Sequence, residues 1–461
     1  VLQQTNIQWD TDLIRRYDLA GPRYTSYPTA LQFTDTPDSV KTLSKAISER
    51  DSRKPLSLYI HIPFCAHVCY YCGCNKVVTK DRSRAEPYLQ TLLKEIKLRS
   101  AELGSDVQVD QLHWGGGTPT FIDDEQTARL MQALKEAFKL RDDDQGDYAI
   151  EIDPREMTPG RLKLLRELGF NRISIGVQDV NEAVQIKVNR VQSLEMTTDL
   201  LKEARELGFR SINVDLIYGL PLQTEESFAE TLDRILELRP DRLSVFNYAH
   251  LPERFKPQRR INADELPDAL TKLAIHHQSI ENLTAAGYRN IGMDHFALPD
   301  DTLTQHQDDG TLHRNFQGYT THSQCDLIGL GVSSISQIGD YYLQNSPNIE
   351  RYTQDIESQG SALTKEYCLN EDDKIRRAVI TRLICDFQLD FADQSKALNI
   401  DFKEYFANEL KLLEPMAQDG LIHLREDGMD VTAAGRLLIR RICMTFDAYI
   451  DHSEQRFSKI I

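Results

Sequence analysis

Six short apolar or β-branched runs recur between residues 56 and 247, and this recurrence limits the fold more than any other feature. They are Leu56–Ile62, Gln111–Trp114, Tyr148–Ile152, Arg172–Val177, Ser211–Ile217 and Arg242–Asn247. Their length and their β-branched and aromatic content read as strands. Helical patterns lie between them. Leu162–Gly169 and Leu200–Gly208 both stop at a glycine followed by Phe, and Phe228–Leu238 stops before Arg239-Pro240. Strands that alternate with helices pair in parallel, so the class is α/β and the expected architecture is an incomplete parallel barrel. Arg289–Asp294 is a candidate strand beyond the sixth.

Polar residues gather at one end of these runs. A cysteine-rich loop follows the first and Gly115-Gly-Gly-Thr118 the second. Glu151 and Asp153 close the third, Gln178 the fourth, Asp215 the fifth, and Tyr248 and Ala249 the sixth. In α/β barrels the C-terminal rim of the strands is where active sites form.

The loop after the first strand is Cys65-Ala-His-Val-Cys69-Tyr-Tyr-Cys72-Gly-Cys74. It holds four of the eight cysteines, whereas Cys325, Cys368, Cys385 and Cys443 are isolated. Such crowding reads as a disulfide framework, a zinc site or an iron–sulfur site. Disulfide frameworks belong to small secreted domains, which this long chain does not resemble. Zinc fits four thiolates but usually takes two Cys-x-x-Cys pairs, and Cys72 and Cys74 are only two apart. A Cys-x3-Cys-x2-Cys spacing lets one loop wrap three corners of a 4Fe–4S cube, leaving the fourth iron open.

That spacing, with an aromatic before its last cysteine and a strand before the loop, resembles the radical S-adenosylmethionine (SAM) enzymes. Gly21-Pro-Arg-Tyr-Thr-Ser-Tyr-Pro28, the extra Cys74 and Arg314-Asn-Phe-Gln-Gly-Tyr-Thr320 narrow the resemblance to the oxygen-independent coproporphyrinogen III oxidase family, nearly end to end. The resemblance implies an incomplete parallel (β/α)6-type radical SAM barrel with an N-terminal extension and a mostly helical, winged-helix-like C-terminal domain. It implies a 4Fe–4S cluster on Cys65, Cys69 and Cys72, and two SAM molecules per chain. Tyr59, Gly116, Glu151 and Ile335 match contacts to the SAM at the cluster. Tyr71, Gly117, Thr118, Gln178, Arg190, Asp215 and Ala249 match contacts to the second. Tyr71 departs from the phenylalanine of that family position but keeps a ring for stacking.

Outside the resemblance, core packing is the ordinary reading of Ile335 and Ala249, and an ion pair that of Arg190 and Asp215. Cys74 reads as a packed thiol, a fallback ligand or a thiol near substrate, and His61 as a rim histidine or a neighbour of the cluster; both are candidate catalytic residues. Asn315, Phe316 and Gln317 match a loop facing substrate. Arg23 and Arg314 are candidates for pairing propionates, because guanidinium groups bind carboxylates bidentately.

The implied reaction converts two propionates of coproporphyrinogen III to vinyl groups, giving protoporphyrinogen IX. A haem-carrier relative with the same barrel is the alternative; such relatives lack the cysteine at the Cys74 position and the Asn-Phe-Gln-Gly-Tyr-Thr run. A zinc-binding module without activity is the third reading. A reducing carrier such as flavodoxin or ferredoxin is the expected electron donor, and a monomer the expected state.

At 461 residues the chain is long enough for more than one domain. The expected division is an arm over 1–50, a barrel over 51–300, a connecting region over 301–365 that completes the substrate pocket, and a helical domain over 366–461. Within the arm, Asp10–Tyr17 and Val40–Arg50 read as helices. Pro22 and Pro28 exclude a helix between them, and Arg23, Tyr24 and Tyr27 are candidates to cover a substrate pocket. Near the other end, Leu421–Val431 reads as a hairpin turning at Asp427-Gly428. The formal charge of −17 argues against a nucleic-acid partner and requires local positive potential where a tetracarboxylate binds. No apolar run approaches the roughly 20 residues that span a bilayer, and no targeting peptide is visible from Val1 onward. No membrane partner and a reducing cytoplasm are the expectations.

Overall fold

The computed structural model describes residues 8–450. They divide into two compact units. One is Phe33–Ile275 with Gln324–Cys368. The other comprises the described residues within Val1–Gln32, His276–Ser323 and Leu369–Ile461.

The first unit is built on parallel strands. The six expected runs form β1 (Leu56–Ile62), β2 (Gln108–Gly116), β3 (Asp147–Ile152), β4 (Arg172–Gln178), β5 (Ser211–Tyr218) and β6 (Arg242–Asn247). Each pairs in parallel with the next. A seventh, β7 (Asp326–Leu330), pairs in parallel with β1 on the side away from β2. The ring therefore does not close from β6 onto β1. Beyond β7 the antiparallel strands β8 (Ile335–Ile338), β9 (Tyr341–Asn345) and β10 (Leu363–Cys368) extend the sheet.

Sequence periodicity missed β7. Its five residues are all buried, so it has no alternation, and a short run of four apolar residues after Asp326 lacks a diagnostic period. The candidate strand beyond the sixth forms at Arg289–Gly292, paired antiparallel with His295–Ala297, and the sheet order runs on past β6 through this hairpin.

Crossover helices α1 (Ala85–Leu103), α2 (Asp124–Ala137), α3 (Arg161–Leu168), α4 (Leu194–Glu206) and α5 (Glu225–Leu238) join β1 to β6. Helix α1 buries Tyr88, Leu89, Leu92, Ile96 and Leu103, each fully buried aliphatic contributing about 1.5–3 kcal/mol. The α2 N-terminus carries a capping box of Asp123 and Gln126. Helix α3 ends on Gly169 at φ +112°, the expected glycine stop, and Phe170 then packs edge-on against Trp114 at 5.1 Å.

The second unit is assembled from three stretches of chain. Its core gathers Val379, Ile380, Leu383 and Ile384 from the helix Glu371–Asp386, then Phe402, Phe406 and Phe446, with Tyr24 and Tyr27 from the N-terminal stretch. Gly428–Val431 is the centre of a three-stranded antiparallel sheet between Gln388–Asp390 and Ile422–Leu424, which includes the expected hairpin. Helices form at Thr11–Tyr17, capped by Asp10, and in the first unit at Ser39–Glu49, close to the expected bounds. Tyr24 and Tyr27 are core residues rather than pocket covers. They are 4% and 2% exposed; the Tyr24 hydroxyl donates to Asp447 and the Tyr27 hydroxyl accepts from the Ala448 N–H. Among the described residues, no helix is long and apolar enough to cross a membrane.

Candidate functional site

The cysteine loop leaves β1 and is closed at its neck. Phe64-Cys65 pairs with Val77-Val78 as a two-rung parallel ladder, reinforced by Val77 N–H to Pro63 O and Thr79 N–H to Cys65 O at 2.6 and 2.9 Å. The interior of the loop is tied outward as well. Tyr70 N–H donates to Val188 O at 2.9 Å, Asn189 Nδ2 to Val68 O at 2.8 Å, and Gln258 Nε2 to Tyr71 O at 2.9 Å. Tight closure and external ties hold the thiols in a fixed arrangement without a disulfide: all are free.

The glycine turn at the end of β2 packs directly on this loop. Gly117 N–H donates to Ile62 O and Thr118 N–H to Phe64 O, at 2.9 and 2.8 Å. A Cβ at Gly117 would lie 2.8 Å from Phe64 O and 3.0 Å from Cys65 Sγ. One at Gly116, whose φ is +118°, would lie 2.8 Å from the His61 ring. The protein's own neighbours therefore require the missing side chains, before any ligand does.

A cavity of about 310 Å³ opens beside the turn. Its walls bring together Cys65, Cys69, Cys72 and Cys74 with Tyr71, Gly116, Gly117, Thr118, Glu151, Gln178, Arg190 and Asp215. Residues from β2 to β5 and from the cysteine loop thus meet at one place. The chemistry of this wall fits an iron–sulfur cube: four free thiols line one cavity, three of them in the Cys-x3-Cys-x2-Cys spacing, and the glycine turn approaches as closely as backbone allows. Among the described residues, no three Cys, His, Asp or Glu side chains gather around a single point as one zinc ion needs.

The three thiols have different surroundings. Cys65 receives the Thr118 hydroxyl at 3.4 Å, and burial pushes its thiol up to about 12. Cys72 receives the Cys74 N–H at 3.4 Å, and the hydrogen bond from the Cys74 side chain draws it down to about 5. Cys69 faces two guanidinium groups, Arg190 Nη1 at 3.4 Å and Arg155 Nη2 at 3.6 Å. Both arginines also hold Asp153, whose carboxyl lies at about 2; burial opposes that depression, and Arg190 leads the groups that produce it.

Glu151 accepts from Gly116 N–H at 3.3 Å and pairs with His113 Nε2 at 3.1 Å. The His113 ring stacks on Tyr59 at 5.9 Å. Gln178 stands at φ +72°, at an irregularity between β4 and β5. A non-glycine residue there costs of order 1–3 kcal/mol and is held by its surroundings. Asp215 accepts from Ser174 and Asn213 at 2.9 and 2.8 Å, and burial raises its carboxyl. Arg190 pairs with Asp153 and Gly176 O, so the expected Arg190–Asp215 ion pair is replaced. Asp153 follows the end of β3 directly and is the nearer carboxylate.

Four expected residues do not line the cavity. Tyr59 and His61 lie on β1, joined by a 3.1 Å hydrogen bond, while His61 Nε2 faces Asn75 O at 3.1 Å. Burial lowers the His61 pKa, keeping it neutral. Ile335 begins β8, against Gly329 of β7, which is in register with Tyr59. The Ala249 carbonyl accepts from Gln258 at 3.2 Å. Cys74 is exposed, which overturns its reading as a packed thiol. Sequence reading missed His113, Arg155 and Gln258. Strand alternation marks His113 as a neighbour of Glu151's strand, but nothing local marks Gln258.

The substrate candidates lie in the second unit. Arg23 pairs with Asp294. Arg314 is 8% exposed and stacks over Tyr319 at 4.7 Å, and its Nε and Nη1 lack a hydrogen-bond partner. Gln317 Nε2 is also buried and unpaired, and Asn315 Oδ1 accepts the Gln317 N–H at 2.9 Å. Phe316 occupies the turn between the paired strands His313–Asn315 and Gly318–Thr320.

Two segments match known families: residues 59–235 the radical SAM superfamily, and residues 369–438 the HemN C-terminal domain. The chain is 57% identical to the oxygen-independent coproporphyrinogen III oxidase of Pseudomonas aeruginosa over 459 residues, 99% of each chain. It is 53% identical to that of Salmonella typhimurium, over 100% of each. The solved coproporphyrinogen III oxidase (HemN) from Escherichia coli, a radical SAM enzyme, matches with TM-score 0.92 at 51% identity, covering 97% of this chain and 100% of that one.

Proposed function

The chain belongs to the oxygen-independent coproporphyrinogen III oxidase family of radical SAM enzymes, and from that membership we infer its reaction. It decarboxylates two propionate side chains of coproporphyrinogen III oxidatively to vinyl groups, giving protoporphyrinogen IX in anaerobic haem biosynthesis. One observation carries the reading: three free thiols on a necked loop share a cavity wall with the glycine turn, Glu151, Gln178, Arg190 and Asp215.

Cys65, Cys69 and Cys72 hold the 4Fe–4S cluster. Bound there, the cluster and SAM would supply the radical chemistry needed to oxidise a propionate, with an external acceptor taking the electron released with CO2. The chain's own task is to bind, orient and shield. The Gly115-Gly116-Gly117 run offers backbone free of Cβ atoms to the SAM amino-acid end. Glu151, oriented by His113, suits the ribose hydroxyls. Tyr59 and Ile335 are assigned to that site from β1 and β8, both on the same side of β2. His61 is assigned to positioning, since both its ring nitrogens face partners.

A second SAM is assigned to Tyr71, Gly117, Thr118, Gln178, Arg190, Asp215 and Ala249. The strained Gln178 and the raised Asp215 support it, because such features collect at ligand sites. Cys74, exposed beside the cluster loop, is assigned to turnover rather than ligation. Of the two arginines considered for propionates, Arg314 is favoured. Its buried, unpaired N–H groups are costly without an acceptor, whereas Arg23 is committed to Asp294. Asn315, Phe316 and Gln317 share that loop and complete the contact, and 301–365 is the segment assigned to the substrate pocket. A flavodoxin- or ferredoxin-like carrier supplies electrons to a cytoplasmic monomer.

The haem-carrier alternative is not favoured, because Cys74 and Asn315–Thr320 are both present. Anaerobic incubation with coproporphyrinogen III, SAM and a reductant tests the reading. The expected products are protoporphyrinogen IX and two CO2 per substrate. Substrate recovered unchanged with an intact cluster would overturn it.

A further inference from the structure

We propose that Arg155 is a positioning residue that sets the reduction potential of the cluster through Cys69. The proposal rests on the assignment of Cys65, Cys69 and Cys72 as cluster ligands.

The local chain fixes Arg155 before any cofactor binds. Asp153 caps the short turn after β3 by accepting the Arg155 N–H at 3.1 Å. The same carboxylate takes Arg155 Nε at 2.9 Å and Nη2 at 2.6 Å. That double grip aims Nη2 at Cys69 Sγ, 3.6 Å away. Arg190 approaches the same sulfur from its own strand connection. Arg155, Arg190 and Asp153 together carry one net positive charge, and all three side chains are largely buried, at 12%, 8% and 8% exposure.

Neither of the other two thiols is held by a guanidinium group, although the Lys76 ammonium reaches Cys72. Cys65 has a neutral hydroxyl and Cys72 a neutral N–H donor. Cationic donors to a ligand sulfur stabilise the more negative, reduced cluster, and hydrogen bonds to sulfur are among the factors that set cluster potentials. Poor screening in a buried site strengthens the effect. Removing the Arg155 charge leaves the group neutral and must make reduction harder. Arg190 is assigned to the second SAM, so Arg155 is the member free to serve the cluster alone.

The test is a mediated redox titration of the anaerobically reconstituted full-length protein without SAM, followed by the electron paramagnetic resonance signal of the reduced cluster. Iron and sulfide content are measured on every sample. In Arg155→Leu, the ratio of reduced to oxidised cluster at fixed potential is expected to fall about tenfold, a downward shift of about 59 mV for a one-electron couple. Arg155→Lys keeps the charge and is expected to lie between that variant and wild type. Arg82→Leu is the control: Arg82 pairs with Glu156 and the Phe121 carbonyl, not with Cys69. A wild-type midpoint in Arg155→Leu overturns the proposal, as does an equal shift in Arg82→Leu. Loss of iron in both Arg155 variants also overturns it, by making the residue structural. Loss of iron from wild type would instead break the ligand assignment on which the proposal rests.

Discussion

The cavity wall of the parallel unit and the Arg314 loop of the other unit bury their polar groups differently. In the parallel unit nearly every buried polar side chain of the cavity wall has a partner: Asp153 holds two arginines, Asp215 a serine and an asparagine, Glu151 a histidine. In the three-segment unit Arg314 and Gln317 are buried with N–H groups unpaired. A satisfied network fixes geometry, as cofactors require. An unsatisfied cation stores a demand for an anion. Under the proposed function the comparison becomes a division of labour: the parallel unit would hold cofactors, and Arg314 of the other unit would meet carboxylate.

The sharpest way to break that division is at the thiols. Cys65→Ser, Cys69→Ser and Cys72→Ser are each expected to abolish the cluster and all activity, read by iron content and visible absorbance. Full iron in any of them sinks the cofactor half of the comparison.

Arg314→Leu tests the other half. A hydrogen bond to a charged group is worth about 1.5–3 kcal/mol, so KM for coproporphyrinogen III should rise between about ten- and a hundredfold, with iron and SAM binding unchanged. Loss of iron would show that the division is false.

Asp215→Ala is expected to lower turnover about tenfold, near the lower end of the range for one lost charged hydrogen bond. One bound SAM should remain, and the cluster should be intact. Equilibrium dialysis with labelled SAM counts the sites, and a single site in wild type returns Asp215 to its network with Ser174 and Asn213. Cys74→Ser should keep its iron and lose turnover more mildly; iron loss matching that of Cys72→Ser would make it a ligand.

The smallest expected effect is on acid stability. Burial lowers both His276 and His313 of the three-segment unit to about 4. The unfolded chain binds protons at about 6.5, so it takes up more protons than the fold as pH drops. Their contribution is therefore fully present above about 6.5 and is lost as pH falls toward 4. His313→Gln should flatten thermal stability across that window, and an unchanged slope would remove His313 from the account.

The sequence alone determined the six parallel strands, the glycine stops and the cysteine loop. Each of these depends on neighbours in the chain: period, capping and spacing act over a few residues. The three thiols proposed as cluster ligands were legible as one set for the same reason, since thiols seven residues apart end to end must share one loop. Tertiary structure alone decided that β7 lies beside β1, that Arg190 pairs with Asp153 rather than Asp215, and that Tyr24 and Tyr27 enter a core formed with residues beyond 370. It also decided that Arg314 keeps its Nε and Nη1 buried without a hydrogen-bond partner. Partners of these kinds are chosen by packing between distant segments, and a buried charge carries no local mark of whether its counter-charge will be the protein's own.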